Sequence, residues 1–282
     1  MTIAELKSDF EKQLKDFYPS TEIKNFYYHI LTDLLKVPKI TILSQTDKEI
    51  DENILRKIHE IVLKLRNNIP LQYILGKTDF YGMTLEINHN VLIPRPETEE
   101  LVDWIINENK GKKITILDVG TGSGCIALAL KKNMPLSTVA AVDNSAEALT
   151  VAKHNAEINK LAVEFIKADA LKMKEVLPPS FDIIVSNPPY IPESEKHFVQ
   201  KNVLQYEPHN ALFIPENDPF IFYLAIADFA KASKHPVQLY FEINEGKAQE
   251  LSNLLSKKGF KDVVVRKDIN GKDRMLKCTY IC

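Results

Sequence analysis

The sequence of 282 residues is poor in glycine and cysteine and lacks any long apolar run. Its three cysteines, Cys125, Cys278 and Cys282, lack the spacing of metal ligands and cannot all pair. This usage favours a reducing, cytoplasmic compartment, and no metal site is predicted. No stretch approaches the roughly 20 apolar residues of a membrane span, so no membrane association is expected.

Neither sign of charge is in excess. Thirty-six basic and 38 acidic side chains give a net charge of -2 and a pI near 6.4. Proteins that bind long nucleic acids by counterion release usually carry a basic excess, so no stable nucleic-acid partner is expected. Acids are spread through the N-terminal stretch MTIAELKSDFEKQLKDF, which predicts neither a signal peptide nor a transit peptide.

Apolar residues near the N-terminus recur every three or four positions, which predicts helices with one apolar face. Thr46 and Glu49 have the spacing of a capping box and predict that a third helix begins there. Pro70 and Gly76 suit the first turn and the C-terminal cap of one more short helix. Residues 1–76 are therefore predicted to form a small helical bundle.

The pattern changes after the bundle. Residues 77–94 alternate apolar and polar side chains and contain turn formers, which predicts a hairpin-like linker. Over 95–282, short β-branched runs alternate with helical segments, which indicates a doubly wound, mostly parallel sheet. Asn270-Gly271 predicts a closing hairpin, so the α/β fold should contain a Rossmann-like mixed sheet with an antiparallel strand near the C-terminus.

Three of the nine glycines fall within five residues, in the segment ILDVGTGSGCIALAL. A glycine loop between a strand and a helix brings backbone N–H groups and the positive end of the helix dipole close to a ligand. The candidate cofactor-binding residues in this loop are Gly120, Thr121, Gly122, Ser123 and Gly124. The spacing differs from the G-x-G-x-x-G of dinucleotide sites, and the Lys-Ser/Thr of a Walker A loop is absent. The alternative is a glycine-rich turn without a ligand.

Carboxylates follow three of the predicted strands. Asp143 lies about 20 residues beyond the glycine loop, where an acid accepts hydrogen bonds from ribose hydroxyls. Its alternative role is to cap the following helix, which Ser145 could also do. Asp118, Asp143 and Asp169 lie near the ends of successive predicted strands, so the three acids together indicate a ligand site at one edge of the sheet.

The fourth predicted strand ends on Asn187-Pro188-Pro189-Tyr190. The two prolines fix their φ angles and leave carbonyls that can only accept hydrogen bonds. The Asn187 side-chain oxygen and a proline carbonyl form two rigid acceptors, which suit the two donors of a planar NH₂ group. The predicted substrate group is therefore an amide or an aromatic amine, with Tyr190 as a flat wall beside it. The alternative is a stiff loop that only ends a strand.

The glycine loop resembles motif I of class I S-adenosylmethionine-dependent methyltransferases, and the tetrapeptide resembles that of enzymes that methylate adenine, cytosine or glutamine nitrogens. The chain as a whole resembles the HemK/PrmC family of peptide chain release factor glutamine N5-methyltransferases. The resemblance is carried, in order, by PLQYILGKTDFYG, LIPRPETEELVD, LDVGTGSGCIALAL, SNPPYIP, YEPHNAL and DINGKDR. It implies transfer of a methyl group from S-adenosyl-L-methionine to the Gly-Gly-Gln glutamine of class I release factors. S-adenosyl-L-homocysteine would be the product, and the helical bundle would help to bind the release factor.

The resemblance also implies roles for single residues. Asp118 would support the loop and the methionine end of the cofactor, Asp169 would meet the adenine amino group, and the Ala170 backbone would lie beside the ring. The catalytic set would be Asn187, Pro188 and Tyr190, with Pro189 and Arg95 adding contacts to the substrate. Asn187 would also contact the cofactor.

For other residues of the matching segments, both a functional and a structural role remain possible interpretations. Glu97, Thr98 and Glu99 either shape the cofactor cleft or simply begin a helix. Phe80 and Tyr81 either wall the methyl-transfer site or pack in the core.

Two rival classes remain open. A nucleic-acid amine methyltransferase would use the same pocket but should carry a basic surface or an added recognition domain. A scaffold that binds the cofactor without catalysis would need a damaged substrate pocket, whereas the tetrapeptide is intact. The chain departs from the family pattern at FIPENDPF, which lacks the expected glycines, and at Asn244, which replaces a glycine.

Overall fold

The computed structural model describes residues 1–282. The chain forms two compact units. The first contains Met1–Gly76 and Lys201–Tyr206, and the second contains Lys77–Gln200 and Glu207–Cys282. No helix combines the length and the apolar character that crossing a membrane would require.

The first unit is helical. Its helices are α1 (Ile3–Leu14), α2 (Ser20–Leu35), α3 (Lys39–Ser44), α4 (Glu52–Arg66), α5 (Leu71–Leu75) and α9 (Lys201–Tyr206). The apolar faces of the longer helices meet in one core that includes Phe10, Leu14, Leu31 and Leu65, all nearly inaccessible to solvent. Gly76 ends α5 in the left-handed conformation that was predicted for a C-terminal cap.

The predicted helix start at Thr46 is wrong. Helix α4 begins at Glu52, and Asp51 is its N-cap, because the Asp51 carboxylate accepts a hydrogen bond from the Asn53 amide at 2.8 Å. The capping-box spacing of Thr46 and Glu49 therefore has no helix to cap.

The segment that contains Thr46 supports α1 instead. The Ala4 amide, one of the first-turn donors that lack a partner within the helix, donates to the Thr46 carbonyl at 2.9 Å. A capping box does occur here, since the Thr2 hydroxyl accepts from the Glu5 amide and the Glu5 carboxylate accepts from the Thr2 amide.

The second unit is an α/β structure. Its helices are α6 (Pro96–Asn109), α7 (Cys125–Asn133), α8 (Ala146–Ile158), α10 (Ile221–Ala230) and α11 (Ala248–Lys257). Its strands are β1 (Lys77–Phe80), β2 (Met83–Glu86), β3 (Thr115–Val119), β4 (Thr138–Asp143), β5 (Glu164–Lys167), β6 (Ile183–Ser186), β7 (Ile191–Pro192), β8 (Phe213–Ile214), β9 (Val237–Glu242), β10 (Lys261–Lys267) and β11 (Asp273–Tyr280).

The central sheet has seven strands in the order β10-β11-β9-β6-β3-β4-β5. Every neighbouring pair is parallel except those made by β11, which runs antiparallel to both β9 and β10. The predicted mixed sheet with an antiparallel strand near the C-terminus is confirmed. Strand β11 can follow β10 through a tight Asn270-Gly271 turn only because the two strands are antiparallel.

Apolar side chains cover both faces of the sheet. On strand β3, Leu117 belongs to the cluster formed with α10 and α11, whereas Ile116 belongs to the cluster formed with α6, α7 and α8. Strands buried on both faces read as continuous apolar runs, which is why the sequence displays them clearly.

The order of the strands places the functional segments. The chain proceeds from β3 outward through β4 to β5, and then returns to the other side of β3 as β6. The carboxyl ends of β3 and β6 are therefore neighbours, with Val119 opposite Ser186. Ligands of doubly wound sheets bind at such a reversal of strand order.

Residues 77–94, predicted as a linker, contain the antiparallel β1–β2 hairpin and lie within the second unit. Phe80, Met83 and Leu85 belong to the core that lies under α6 and α7. Phe80 is only 1% exposed, so it packs in the core rather than lining a site.

Candidate active site

A cavity of about 820 Å³ opens at the carboxyl ends of β3, β4 and β6. The candidate residues on its wall are Gly120, Gly122, Asp143, Asp169, Ala170, Asn187, Pro188 and Pro189. The fold thus brings together at one opening the glycine loop, two of the three acids and most of the tetrapeptide.

The glycine loop turns sharply between β3 and α7. Gly122 and Gly124 have φ angles of +54° and +83°, which side chains with a Cβ atom rarely adopt. A Cβ atom on Gly124 would lie 3.2 Å from the Ala152 side chain, whereas one on Gly122 would meet no atom within 4 Å. Glycine at 124 thus allows close packing on α8, and Gly122 leaves its space to the cavity.

Asp118 supports the loop from beneath. It is fully buried, and one of its oxygens accepts from the Thr121 hydroxyl at 2.6 Å and from the Ala127 amide at 3.2 Å. Its other oxygen has no hydrogen-bond partner, and burial raises its pKa to about 7. Asp118, Thr121, Ser123 and Gly124 do not line the cavity. Their contribution to a ligand would act through the shape of the loop.

Asp143 joins the loop to β4. One carboxylate oxygen accepts from the Gly122 amide and the other from the Ser145 amide, both at 2.9 Å. The N-cap of α8 is Ser145, whose hydroxyl accepts from the Ala148 amide at 3.0 Å. Asp143 is therefore not needed as the cap, and each carboxylate oxygen has a further lone pair for a ligand hydroxyl.

Asp169 follows β5 and begins a 3₁₀ turn, with its carboxylate accepting from the Leu171 amide at 2.9 Å. Asp169 and Asp143 are the only ionisable side chains on the cavity wall, so the wall is acidic. Acids at strand ends also occur in dinucleotide sites, where they accept hydrogen bonds from ribose hydroxyls, so the wall suits a nucleoside ligand, and its acidity favours one that also carries cationic groups. The residues present therefore fit S-adenosylmethionine, whose sulfonium and ammonium groups are both positive.

Asn187 is held by a hydrogen-bond chain that ends in the core. Its side-chain nitrogen donates to the Thr98 hydroxyl oxygen at 3.3 Å, and the Thr98 hydroxyl donates to the Glu242 carboxylate at 2.6 Å. With the nitrogen turned to Thr98, the amide oxygen of Asn187 is the group left to accept from a ligand.

Glu242 ends β9 and is only 2% exposed. Burial raises its pKa, while the hydrogen bond from Thr98 and the nearby positive charge of Arg274 act in the opposite direction. The Tyr190 hydroxyl donates to the second Glu242 oxygen at 3.3 Å. This buried carboxylate thus connects Thr98, Asn187 and Tyr190. The sequence reasoning did not single out Glu242, although an acid at the end of a buried strand was a visible signal.

Tyr190 does not line the large cavity. Its ring packs against the core and borders a smaller cavity of about 260 Å³ together with Pro192 and Tyr223. Its part as a flat wall for the substrate stays a prediction.

Arg95 also lies off the cavity wall. Its guanidinium pairs with Glu207 at 2.5 Å, and the second oxygen of Glu207 accepts from the Ile93 amide at 3.2 Å. Glu207 is buried, so the pair joins the loop before α6 to the segment YEPHNAL. Contact of Arg95 with a protein substrate stays a prediction.

The Tyr81 contacts are with α6. Its backbone amide donates to the Glu99 carboxylate at 2.7 Å and its hydroxyl donates to Asp103 at 3.0 Å. Tyr81, like Phe80, does not line the cavity. Glu99 thus serves the packing of the hairpin on α6.

Two segments of the cavity wall were known in advance only as parts of the family resemblance. Leu92 belongs to LIPRPETEELVD, and Asn210–Ala211 belong to YEPHNAL, whereas the neighbouring Asn90 and Val91 lay in the predicted linker and were not expected at a site. Phe222 and Ile226 of α10 complete the wall and gave no signal, because apolar residues on a helix predict core packing.

The backbone conformation at Asn244 does not require a glycine. Its φ angle of -68° is ordinary, and its side chain accepts from the Gly246 amide at 2.9 Å. In FIPENDPF, strand β8 pairs in parallel with β7 next to the tetrapeptide. The departures from the family pattern therefore fit a regular backbone.

A doubly wound sheet with a glycine loop, a following acid and Asn-Pro-Pro-Tyr at one acidic cavity defines a class I S-adenosylmethionine-dependent methyltransferase. The family model of the methyltransferase small domain matches residues 98–211, and that of the PrmC N-terminal domain matches residues 5–76. The hMettl16 catalytic domain, solved in complex with MAT2A 3'UTR hairpin 6, superimposes with a TM-score of 0.58 at 18% identity. The match covers 75% of this chain and 79% of that one, and it shows the fold alone.

Sequence relatives define the family more narrowly. A release factor glutamine methyltransferase of Flavobacterium psychrophilum is 43% identical, with 99% of this chain and 100% of the relative covered. A protein of the same description from Bacteroides thetaiotaomicron is 42% identical, covering 94% of this chain and 95% of the relative. This chain belongs to the family of release factor glutamine methyltransferases, and the resemblance inferred from the sequence is confirmed.

Proposed function

We propose that this protein transfers the methyl group of S-adenosylmethionine to the side-chain amide nitrogen of the glutamine in the Gly-Gly-Gln motif of class I peptide chain release factors. The observation that carries the proposal is the arrangement of the Asn187 side chain. Its nitrogen donates a hydrogen bond to Thr98, and its oxygen is left to accept a hydrogen bond from a ligand in the cavity. Membership of the family supports the choice of glutamine among planar NH₂ groups.

The cofactor would be held by Gly120, Gly122, Asp143, Asp169 and Ala170, all on the cavity wall. S-adenosylmethionine, when bound, supplies an electrophilic methyl group on a sulfonium centre. Asp143 would accept from the ribose hydroxyls and Asp169 from the adenine amino group. The acidic wall they form would also attract the positive charge of the cofactor.

Asn187 and Pro188 would orient the glutamine. An amide nitrogen is a poor nucleophile because its lone pair is delocalised into the carbonyl group. The Asn187 oxygen and the Pro188 carbonyl would accept one hydrogen bond each from the NH₂ group and turn the lone pair towards the methyl group. Orientation of this kind contributes up to about 7–11 kcal/mol in favourable systems.

The same two acceptors would also stabilise the transition state. Positive charge develops on the amide nitrogen as the new N–C bond forms, so hydrogen bonds from that nitrogen strengthen during the reaction. As the new N–C bond forms, the sulfonium S–CH₃ bond would break and S-adenosylhomocysteine would leave. The nitrogen would release its proton to solvent as or after the methyl group arrives, so no base is required beforehand.

The helical unit would contribute to binding the release factor. Its match to the PrmC N-terminal domain over residues 5–76 supports this assignment, and Arg95 of the second unit would add a basic contact to the release factor. We assign the protein to the cytoplasm, where release factors act in translation. No stable nucleic-acid partner is proposed.

Methyl transfer from radiolabelled S-adenosylmethionine tests the proposal. The acceptors are purified unmethylated release factor, its Gly-Gly-Ala variant, and bulk DNA and RNA. We expect label on the wild-type factor alone. Label on nucleic acid would transfer the proposal to the exocyclic amines of bases, and no label on any acceptor would favour a scaffold that binds the cofactor without catalysis.

A further inference from the structure

Glu242 is a buried carboxylate that is connected by hydrogen bonds to two side chains of the Asn-Pro-Pro-Tyr segment, to one of them through Thr98 and to the other directly. One oxygen of Glu242 accepts a hydrogen bond from the Thr98 hydroxyl, which in turn accepts one from the Asn187 side-chain nitrogen. The other oxygen accepts a hydrogen bond from the Tyr190 hydroxyl. The Tyr223 hydroxyl donates to the Glu242 backbone carbonyl at 3.0 Å and fixes the end of β9. No other carboxylate is hydrogen-bonded to the tetrapeptide side chains.

The number of hydrogens available in the series of hydrogen bonds Asn187–Thr98–Glu242 fixes the orientation of the Asn187 side-chain amide. A threonine hydroxyl has one hydrogen, and the Glu242 carboxylate, which accepts an O–H donor on each of its two oxygens, contributes none of its own. Because Thr98 donates its hydrogen to Glu242, its oxygen can only accept from Asn187. An Asn187 side chain turned by 180° would place its oxygen against the Thr98 oxygen with no hydrogen between them, and this arrangement is repulsive.

We propose that Glu242 and Thr98 are positioning residues, which hold the Asn187 carboxamide so that its oxygen faces the substrate amide. This inference rests on the proposed function, because it concerns how the glutamine NH₂ group is recognised. Neither residue touches the reacting atoms. Their effect is to exclude the flipped amide, which would present donors to a group that itself offers donors.

Thr98→Val and Thr98→Ser form the matched pair that tests the proposal. Valine keeps the shape and removes the hydroxyl, whereas serine keeps the hydroxyl. We expect Thr98→Val to lower kcat for release factor methylation by about 10–100-fold, below the loss expected for a direct contact with the reacting group. The KM for the release factor and the Kd for S-adenosylmethionine should change little, and Thr98→Ser should restore most of the rate.

A role in folding alone would give a different pattern. Thr98→Val combined with Asn187→Ala should be hardly slower than Asn187→Ala itself, because the hydroxyl has no amide left to orient. If Thr98→Val multiplies the loss by the same factor in both backgrounds, the positioning role is overturned. If wild-type enzyme labels the release factor and Thr98→Val is as fast, it is overturned as well. Failure of wild-type enzyme to label the factor would instead refute the proposed function.

Glu242→Gln provides a second measurement if Thr98→Val does not fold. A glutamine can donate to the Thr98 oxygen, which frees the Thr98 hydrogen for the Asn187 oxygen and permits the flipped amide. We expect a lower kcat at unchanged KM for the release factor. A kcat equal to that of wild type would contradict the proposal.

Discussion

Alanine at Gly124 should destabilise the second unit more than alanine at another left-handed glycine. At Gly124 the φ angle is +83°, and a left-handed conformation costs a residue with a Cβ atom about 1–2 kcal/mol. The new methyl group would also lie 3.2 Å from the Ala152 Cβ atom and 3.3 Å from Leu128. Overpacking of this kind typically costs about 1–3 kcal/mol, so the total loss should be about 2–5 kcal/mol.

Gly271 is the matched control. Its φ angle is +79°, but an added Cβ atom there would meet nothing within 4 Å. Gly271→Ala should therefore lose only the backbone part, about 1–2 kcal/mol. Gly122→Ala should resemble Gly271→Ala in stability, since its Cβ atom also meets no protein atom, but it should bind S-adenosylmethionine more weakly because it lines the cavity.

The chain has one tryptophan, Trp104, which is buried in the second unit, so its fluorescence reports the unfolding of that unit. Urea titrations of the three variants give the losses in stability, and calorimetry gives the affinity for S-adenosylmethionine. A Gly124→Ala loss no larger than that of Gly271→Ala would refute the packing argument. Unchanged affinity in Gly122→Ala would refute the inference that the cofactor closely approaches the loop.

Three further outcomes follow from the site. Asn187→Ala should lower the rate of methyl transfer about 10²–10³-fold with little change in cofactor affinity. An unchanged turnover would refute the role of Asn187 as hydrogen-bond acceptor for the substrate amide. Asp143→Ala should weaken cofactor binding at least ~10-fold in calorimetry, because a ligand acceptor and the Gly122 anchor are both lost, and equal affinity would contradict this. Burial raises the pKa of Asp118 from its ordinary 3.8 to about 7, so the folded state retains a proton that the unfolded chain releases in this window. The stability contributed by Asp118 is therefore fully present below about pH 4 and is lost as pH rises through about 7. Asp118→Asn should flatten this fall in the free energy of unfolding, measured by urea titrations followed by Trp104 fluorescence. An unchanged pH profile would contradict the burial argument.

The sequence predicted the strands of the sheet well, because their side chains are buried on both faces and appear as short β-branched runs. The Asn270-Gly271 turn was enough to predict the antiparallel closing hairpin, since a turn of this length cannot join parallel strands. The prediction at Thr46 failed because a capping box is recognised by spacing alone, and here the same spacing spans a turn in which the Lys48 amide donates to the Gln45 carbonyl.

Local pattern by itself determined the fold class, the glycine loop, the acids at the strand ends and the chemistry of Asn187-Pro188-Pro189-Tyr190, because each depends on neighbouring residues. Only the tertiary structure revealed the pairs that hold these parts in place. Thr98 and Glu242 are 144 residues apart in the chain, and Arg95 and Glu207 are 112 apart. Contacts between residues so distant in sequence form when the sheet is assembled, and no local spacing encodes them.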